Sequence, residues 1–305
     1  MGQTVGALLW GNNAKAFRDH AAQLEELGFG SFSVGDHLGH YPPLTACAVI
    51  AQATQAAQVG PLVLNNDLRQ PTVLAREAAA LADLSGGRFE LGLGAGYARH
   101  EYVRSGISYD SAATRITRLD EAARILSGLF AGENVTMSGR HYRTREDSLP
   151  GLRHRVPLLI GGNSPAVHAV AARYADILNL VGLSSIRGGT AEDMSDFSVG
   201  ALERQVDALG GMCREGGSGP ERHVLIQWHE VTEDRRSAGE RAAERLGVSV
   251  EIVLDSPYAL IGSADEIVAQ IHRHHDTFGI TRWTIFADHP DLQPAELLAP
   301  VLATL

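Results

Sequence analysis

Four short runs in this 305-residue chain turn polar or glycine-rich where an apolar run stops, and each has chemistry it can perform. Asp36-His37 closes the run Ser31–Asp36. An imidazole at a strand's carboxyl end can hydrogen-bond a cofactor ring and stabilise charge as a hydride moves. A core histidine bonded to a neighbouring strand is the plainer alternative. Leu62-Val63-Leu64-Asn65-Asn66-Asp67 becomes abruptly polar, and such side chains can meet the rim of a planar polar ring. A capping cluster ahead of Pro71 explains that run equally well. Gly92-Leu93-Gly94-Ala95-Gly96-Tyr97 has tyrosine where a dinucleotide-binding loop needs glycine, and no helix starts at once. Its content is close backbone approach, by a flat ring or a polar tail. Gly161-Gly162-Asn163-Ser164-Pro165 ends another run, with Pro165 suited to a first helical position and Ser164 to its cap. That arrangement leaves free amides for a phosphate. A tight capped turn accounts for everything there except the double glycine.

Other residues offer less. His272, His274 and His275 lie in a charged helical stretch where only His272 and His275 share a face, so no metal site is expected. Asp288-His289 reads as a rim contact rather than a catalytic dyad. The nucleophile elbow and the zincin helix motif are both missing from the sequence, which removes serine-hydrolase and zincin chemistry. Cys47 and Cys213 stand far apart without metal-type spacing and read as reduced thiols.

The elements that must carry these residues alternate. Strand-like runs Val5–Trp10, Ser31–Asp36, Gly60–Asn65, Arg88–Gly94, Val156–Ile160, Ala175–Leu180, His223–Glu230 and Trp283–Ala287 are separated by stretches of helical spacing. Helices are expected at Ala14–Leu27, Leu44–Ala57, Pro71–Leu84, Ile116–Phe130, Pro165–Tyr174, Gly200–Arg214, Arg235–Leu246, Ala264–Phe278 and Pro294–Leu302. Serial βα units imply parallel pairing, and about eight of them favour a closed (β/α)₈ TIM barrel over an open sheet. No linker breaks the chain, so residues 1–305 read as one domain. Asn134–Arg145 reads as a small hairpin. Insertions at Gly96–Thr114 and Ser184–Phe197 follow strands four and six, on the face where barrels place active sites. A net charge of −10 disfavours nucleic acid and anionic membranes as partners. No apolar run is long enough to cross a bilayer, and the start lacks a basic leader, so a cytoplasmic protein is expected.

Together these segments resemble the luciferase-like monooxygenase superfamily, and within it the branch that uses coenzyme F420. The resemblance is carried by Leu24–Phe29 leading to Val34-Gly35-Asp36-His37, by Leu62–Asp67, and by Leu74–Leu81. Its most specific block is Leu84-Ser85-Gly86-Gly87-Arg88 through Gly92–Gly96, and Pro157–Gly162 with Ala171–Asp176 extend it. It implies a bacterial-luciferase-like barrel with a flavin or deazaflavin over the strand ends. A non-proline cis peptide or bulge falls near Val63 to Asn65. By the same likeness Asp36, His37, Val63 and Asn65 meet the ring, Gly94, Ala95 and Gly96 its side chain, and Gly161, Gly162, Asn163 and Ser164 its phosphate. Family members that oxidise sugar phosphates have a carboxylate at the position of Tyr97 and a tryptophan near that of Tyr41. Both tyrosines are therefore expected in the substrate pocket, a sugar phosphate is disfavoured, and Glu101 is the candidate proton donor beside His37.

Three functions follow from this resemblance. The first is F420-dependent hydride transfer to or from an organic substrate. The second is an FMN-dependent two-component monooxygenase. The third is a non-catalytic flavin-binding carrier, against which the two long loops argue. A homodimer and a flavin or F420 reductase partner are implied by the resemblance alone.

Overall fold

The computed structural model describes residues 3–146, 148–149, 152–182, 196–213 and 219–305. Strands β1 (Thr4–Leu9), β2 (Ser31–Val34), β3 (Gln58–Pro61), β4 (Leu64–Asn65) and β5 (Leu91–Gly94) come first. A hairpin, β6 (Val135–Ser138) with β7 (Arg143–Glu146), follows as expected from Asn134–Arg145. Next come β8 (Leu158–Gly161), β9 (Ile177–Val181), β10 (Glu221–Leu225), β11 (Trp228–Val231), β12 (Ala259–Gly262) and β13 (Ile280–Phe286).

Nine of these form one parallel sheet in the order β3-β2-β1-β13-β10-β9-β8-β5-β4. Because β3 and β4 are two halves of one interrupted stave, β3 pairing with β2 and β4 with β5, the sheet closes into an eight-staved barrel. The Leu62–Val63 peptide between those halves is cis, in the stretch where the family resemblance puts one.

Alternation along each stave sorts side chains between two apolar layers. Ala7, Leu9, Phe32, Val34, Leu91, Leu93, Leu158, Ile160, Leu178 and Leu180 belong to the large core shared with the helices. The residues between them point inward, where Leu8, Leu62, Leu159 and Ile177 form a separate buried cluster. At the amino end of the staves Arg282 bridges Glu90 (2.6 Å) and Glu221 (3.1 Å), and Thr281 donates to Glu221 (2.6 Å). Helices begin where an oxygen side chain accepts an early amide: Asn13, Ser111, Ser164, Ser198, Asp234, Ser249 and Ser263 all cap in this way.

The structure differs from the sequence expectations in several places, of which four bear on the architecture. The third stave starts at Gln58 rather than Gly60. The seventh run divides into β10 and β11, and β11 leaves the barrel to pair with β12, a strand the sequence pattern does not announce. The segment Val250–Asp255 is a short capped helix, too brief to show helical periodicity. The first insertion is not open loop, since it contains the helix Arg99–Ser105. The second insertion lies outside the described residues up to position 195.

Candidate active site

The carboxyl ends of the staves form a mouth whose two sides are built differently. On the side of β4, β5 and β8, small residues let Val63 turn inward. A Cβ on Gly94 would stand 2.7 Å from Val63 Cγ2, and one on Gly161 would stand 3.0 Å from Val63 Cγ1. A Cβ on Gly92 would lie 2.0 Å from the Pro61 carbonyl oxygen. The glycines are thus spent on seating Val63, whose partly exposed side chain then faces the mouth. Gly96 is separate: it has a φ of +75°, and a Cβ there would meet the Tyr102 hydroxyl at 2.2 Å.

Asp36 stands behind this side rather than in it. Its oxygens accept from Arg69 (2.6 and 3.1 Å) and from the Asn65 amide (2.9 Å), and the residue is buried. With both oxygens occupied, the carboxylate positions Asn65. Asn65 Oδ1 accepts from Tyr102 Oη (3.1 Å) and from the Asp67 amide (3.0 Å), leaving its Nδ2 as the available donor. Burial and then the Asp67 carboxylate push the Tyr102 hydroxyl well above its ordinary range, so it stays a neutral donor. Burial also raises Asp67, which faces Arg118 at 3.2 Å.

His37 emerges at the end of the second stave. Its Nδ1 lies 2.9 Å from Glu101 Oε1, and that oxygen also accepts from the Leu38 amide at 3.2 Å. An oxygen already accepting from an amide makes Nδ1 the proton-bearing nitrogen, which leaves Nε2 toward the mouth, 3.3 Å from Tyr97 Oη. The His37 side chain is 31% exposed and that of Glu101 only 3%. Glu101 therefore stands behind the imidazole, placed to act through it. The helix Arg99–Ser105 makes this possible by burying consecutive residues Glu101 and Tyr102 against His37 and Asn65 respectively.

The Tyr41 ring, partly buried, packs on Phe17 at 5.6 Å against the large core. The rings beside His37 are instead Trp10, nearly parallel at 6.0 Å, and Tyr97, edge-on at 5.9 Å. His40 packs on Trp10 at 4.9 Å. Trp10 was legible as the last residue of the first stave, a position that faces the mouth, but nothing in its type marked it.

At Gly161–Ser164 the Asn163 side chain is taken up by Val181, accepting from that residue's amide (2.9 Å) and donating to its carbonyl. Ser164 Oγ accepts from Val167 N (3.3 Å), capping the helix Pro165–Tyr174. The Gly162 amide donates to Asn179 O. The amides of Asn163, Ser164 and Ala166 donate to nothing among the described residues, and all three residues are partly or fully exposed.

Beneath the mouth the barrel interior contains a polar chain that sequence reading missed. Asn179 Nδ2 lies 3.4 Å from His223 Nδ1, and His223 Nε2 lies 2.8 Å from Thr284 Oγ1. Burial, with a smaller effect from Arg282, pushes His223 down to about 3, so it is neutral. Asp288 pairs with His20 at 3.0 Å, beside the first helix rather than at the mouth. Among the described residues no three His, Cys, Asp or Glu side chains gather where a metal could be held.

Residues 2–209 match the family model described as luciferase-like monooxygenase. The F420-dependent glucose-6-phosphate dehydrogenase of Nakamurella multipartita is 32% identical over 202 residues, covering 63% of this chain and 58% of that protein. The chain thus spans somewhat over half the length of this curated relative. The coenzyme F420-dependent tetrahydromethanopterin reductase from Methanopyrus kandleri superposes with a TM-score of 0.76 at 16% identity, covering 99% of this chain and 97% of that one. The oxygenating constituent of 3,6-diketocamphane monooxygenase from Pseudomonas putida, solved with FMN, superposes with a TM-score of 0.70 at 16% identity, covering 99% and 97%. At such identity these two structures establish a shared fold. One barrel serves both a deazaflavin enzyme and a flavin enzyme.

Proposed function

Because the chain belongs to the luciferase-like monooxygenase family, we propose that it is an oxidoreductase dependent on coenzyme F420, moving a hydride to or from an organic substrate. The observation carrying this reading is the His37–Glu101 pair, which holds Nδ1 and, among the described residues, leaves Nε2 toward the mouth with only the exposed Tyr97 hydroxyl against it. The F420 dependence named for the curated relative supports the choice of cofactor.

The residues fit such a cofactor. Three amides at Asn163, Ser164 and Ala166, without a partner among the described residues, suit a phosphate at the start of a helix. Val63 offers an apolar surface, and Asn65 Nδ2 offers a donor to a polar ring edge. When bound, the deazaflavin supplies a carbon that accepts or gives a hydride. His37 Nε2 takes the proton of a substrate hydroxyl in the oxidative direction and returns it to a carbonyl oxygen in the reductive one. Glu101 fixes the ring's orientation and tautomer and stabilises the imidazolium that forms. Tyr97 contacts Nε2 from the solvent side and gives way to substrate.

Separate absorption titrations with F420 and with FMN test the cofactor. The expected result is saturable F420 binding. No F420 affinity alongside tight FMN binding would reject this reading. Oxygen uptake with reduced FMN would then favour the two-component monooxygenase, the second reading, for which the FMN-containing structural relative speaks. The proposal includes a cytoplasmic homodimer served by a reductase of F420 or flavin. It is consistent with the described helices, none of which is long and apolar enough to cross a membrane. Light scattering of the purified protein tests the dimer.

A further inference from the structure

The other side of the mouth has a composition that selects a substrate. The inner apolar cluster is buried at Leu8, Leu62, Leu159 and Ile177, and its partly exposed members are Trp10, Val63, Leu225 and Phe286. Leu225 and Phe286 end their staves and Trp10 immediately follows its own, so all three stand at the mouth. Three of these residues, Leu225, Phe286 and Trp10, belong to the adjoining staves β10, β13 and β1. The next stave, β2, leads to His37. A Cβ on Gly35 would lie 2.7 Å from Trp10 Cη2, so the indole crosses Gly35 directly and reaches the imidazole. Apolar and aromatic side chains thus line the staves from Leu225 and Phe286 to Trp10, which stacks on His37 and packs on His40, while Tyr97 stands edge-on to His37.

Among the described residues, positive charge near this wall is committed elsewhere except at Arg99. Arg69 forks onto Asp36, Arg104 donates to Leu38 O, Arg115 to Gly96 O, and Arg118 pairs with Asp67 and Asp110. The chain's single lysine, Lys15, lies on the first helix and pairs with Asp19. Arg99, exposed on the helix Arg99–Ser105, is the one arginine of this region without such a partner among the described residues. A phosphomonoester carries about two negative charges, and removing it from water against an aromatic wall without paired cations is unfavourable. A neutral molecule with an apolar face gains from the same wall.

We infer that the wall of Leu225, Phe286, Trp10 and His40 seats a neutral substrate with an apolar, preferably aromatic, body, which presents an alcohol or carbonyl oxygen to His37. This rests on the reading of His37 as the group that handles the proton, and it separates this chain from relatives named for glucose 6-phosphate.

Calorimetric titration with acetophenone, 1-phenylethanol and glucose 6-phosphate, on cofactor-free and F420-loaded protein, tests the inference. Saturable binding of the two aryl compounds is expected, with Phe286→Ala weakening it about tenfold, the effect of one lost apolar ring. Trp10→Phe keeps a ring in place and should retain most of the affinity, with circular dichroism confirming that both variants fold. Tighter binding of glucose 6-phosphate than of the aryl compounds, lost in Arg99→Ala, would overturn the inference. So would aryl binding indifferent to Phe286→Ala. If aryl binding depends on Phe286 while F420 does not bind, the cofactor reading fails and the substrate class stands. If F420 binds and no aryl compound does, the reverse holds.

Discussion

The two sides of the barrel mouth solve opposite problems. On β4, β5 and β8, side chains are deleted: Gly92, Gly94 and Gly161 leave room for Val63, and backbone amides near Asn163 to Ala166 stay available. On β10, β13 and β1, side chains are enlarged: Leu225 and Phe286 end their staves and Trp10 directly follows its own. One side offers backbone and shape, which suits a ligand of constant structure. The other offers side-chain bulk, which changes by point substitution. His37 sits where the two meet.

The largest expected effect comes from cutting at that junction. His37→Ala should lower kcat about 10²–10⁴-fold, the usual worth of a positioned proton-transfer group, while leaving the F420 dissociation constant within severalfold. Unchanged turnover would count for a carrier instead. Glu101→Gln should cost about 10–100-fold, as loss of an orienting partner does, and should shift the acidic limb of the pH–rate profile. A purely structural role for Glu101 would leave that profile in place.

Gly92→Ala tests the depleted side, since its methyl would be driven against the Pro61 carbonyl. Overpacking of this kind costs about 1–3 kcal/mol, read as a lower Tm, and F420 affinity should fall while acetophenone affinity holds. Equal loss of both would show that the two sides are not independent.

A smaller effect is expected from acid. His223 is pushed down to about 3, and His229 and His274 to about 4, each chiefly by burial. The unfolded chain therefore binds more protons than the folded one below the ordinary histidine value of 6.5. Stability is complete above that value and is lost as pH falls from there toward about 4, by roughly 1–2 kcal/mol per pH unit for each histidine. Urea midpoints between pH 7 and pH 4.5 measure the slope, and His223→Gln should reduce it by about one histidine's share. Tyr97→Phe should have the smallest effect, under about tenfold in kcat, because a 3.3 Å contact from an exposed ring holds His37 only weakly.

Much of this was legible in the sequence because a barrel repeats its own grammar. Apolar runs alternating with helical spacing located all eight staves, and polar or glycine residues at their ends located His37, Asn65, Gly94 and Gly161. What escaped was decided by packing across long separations. Trp10 and Phe286 look like ordinary strand residues until closure brings β1 and β13 together. Glu101 and Tyr102 acquire partners only once a seven-residue helix forms, too short for periodicity to reveal. Tyr41 sits near the Asp-His pair in sequence, yet the apolar side of the first helix draws its ring onto Phe17. β12 is four residues long between a serine-proline turn and a cap, below the length at which alternation is visible.

The Arg282 bridge between Glu90 and Glu221 has a consequence for kinetics. It bolts the far end of the barrel, and the inner leucines fill the space above it. Among the described residues the carboxyl-end mouth is then the doorway the two proposed ligands share, and they must use it in turn. Initial-rate patterns should show an ordered sequence rather than random addition, with the first arrival being whichever ligand lies deeper behind the other.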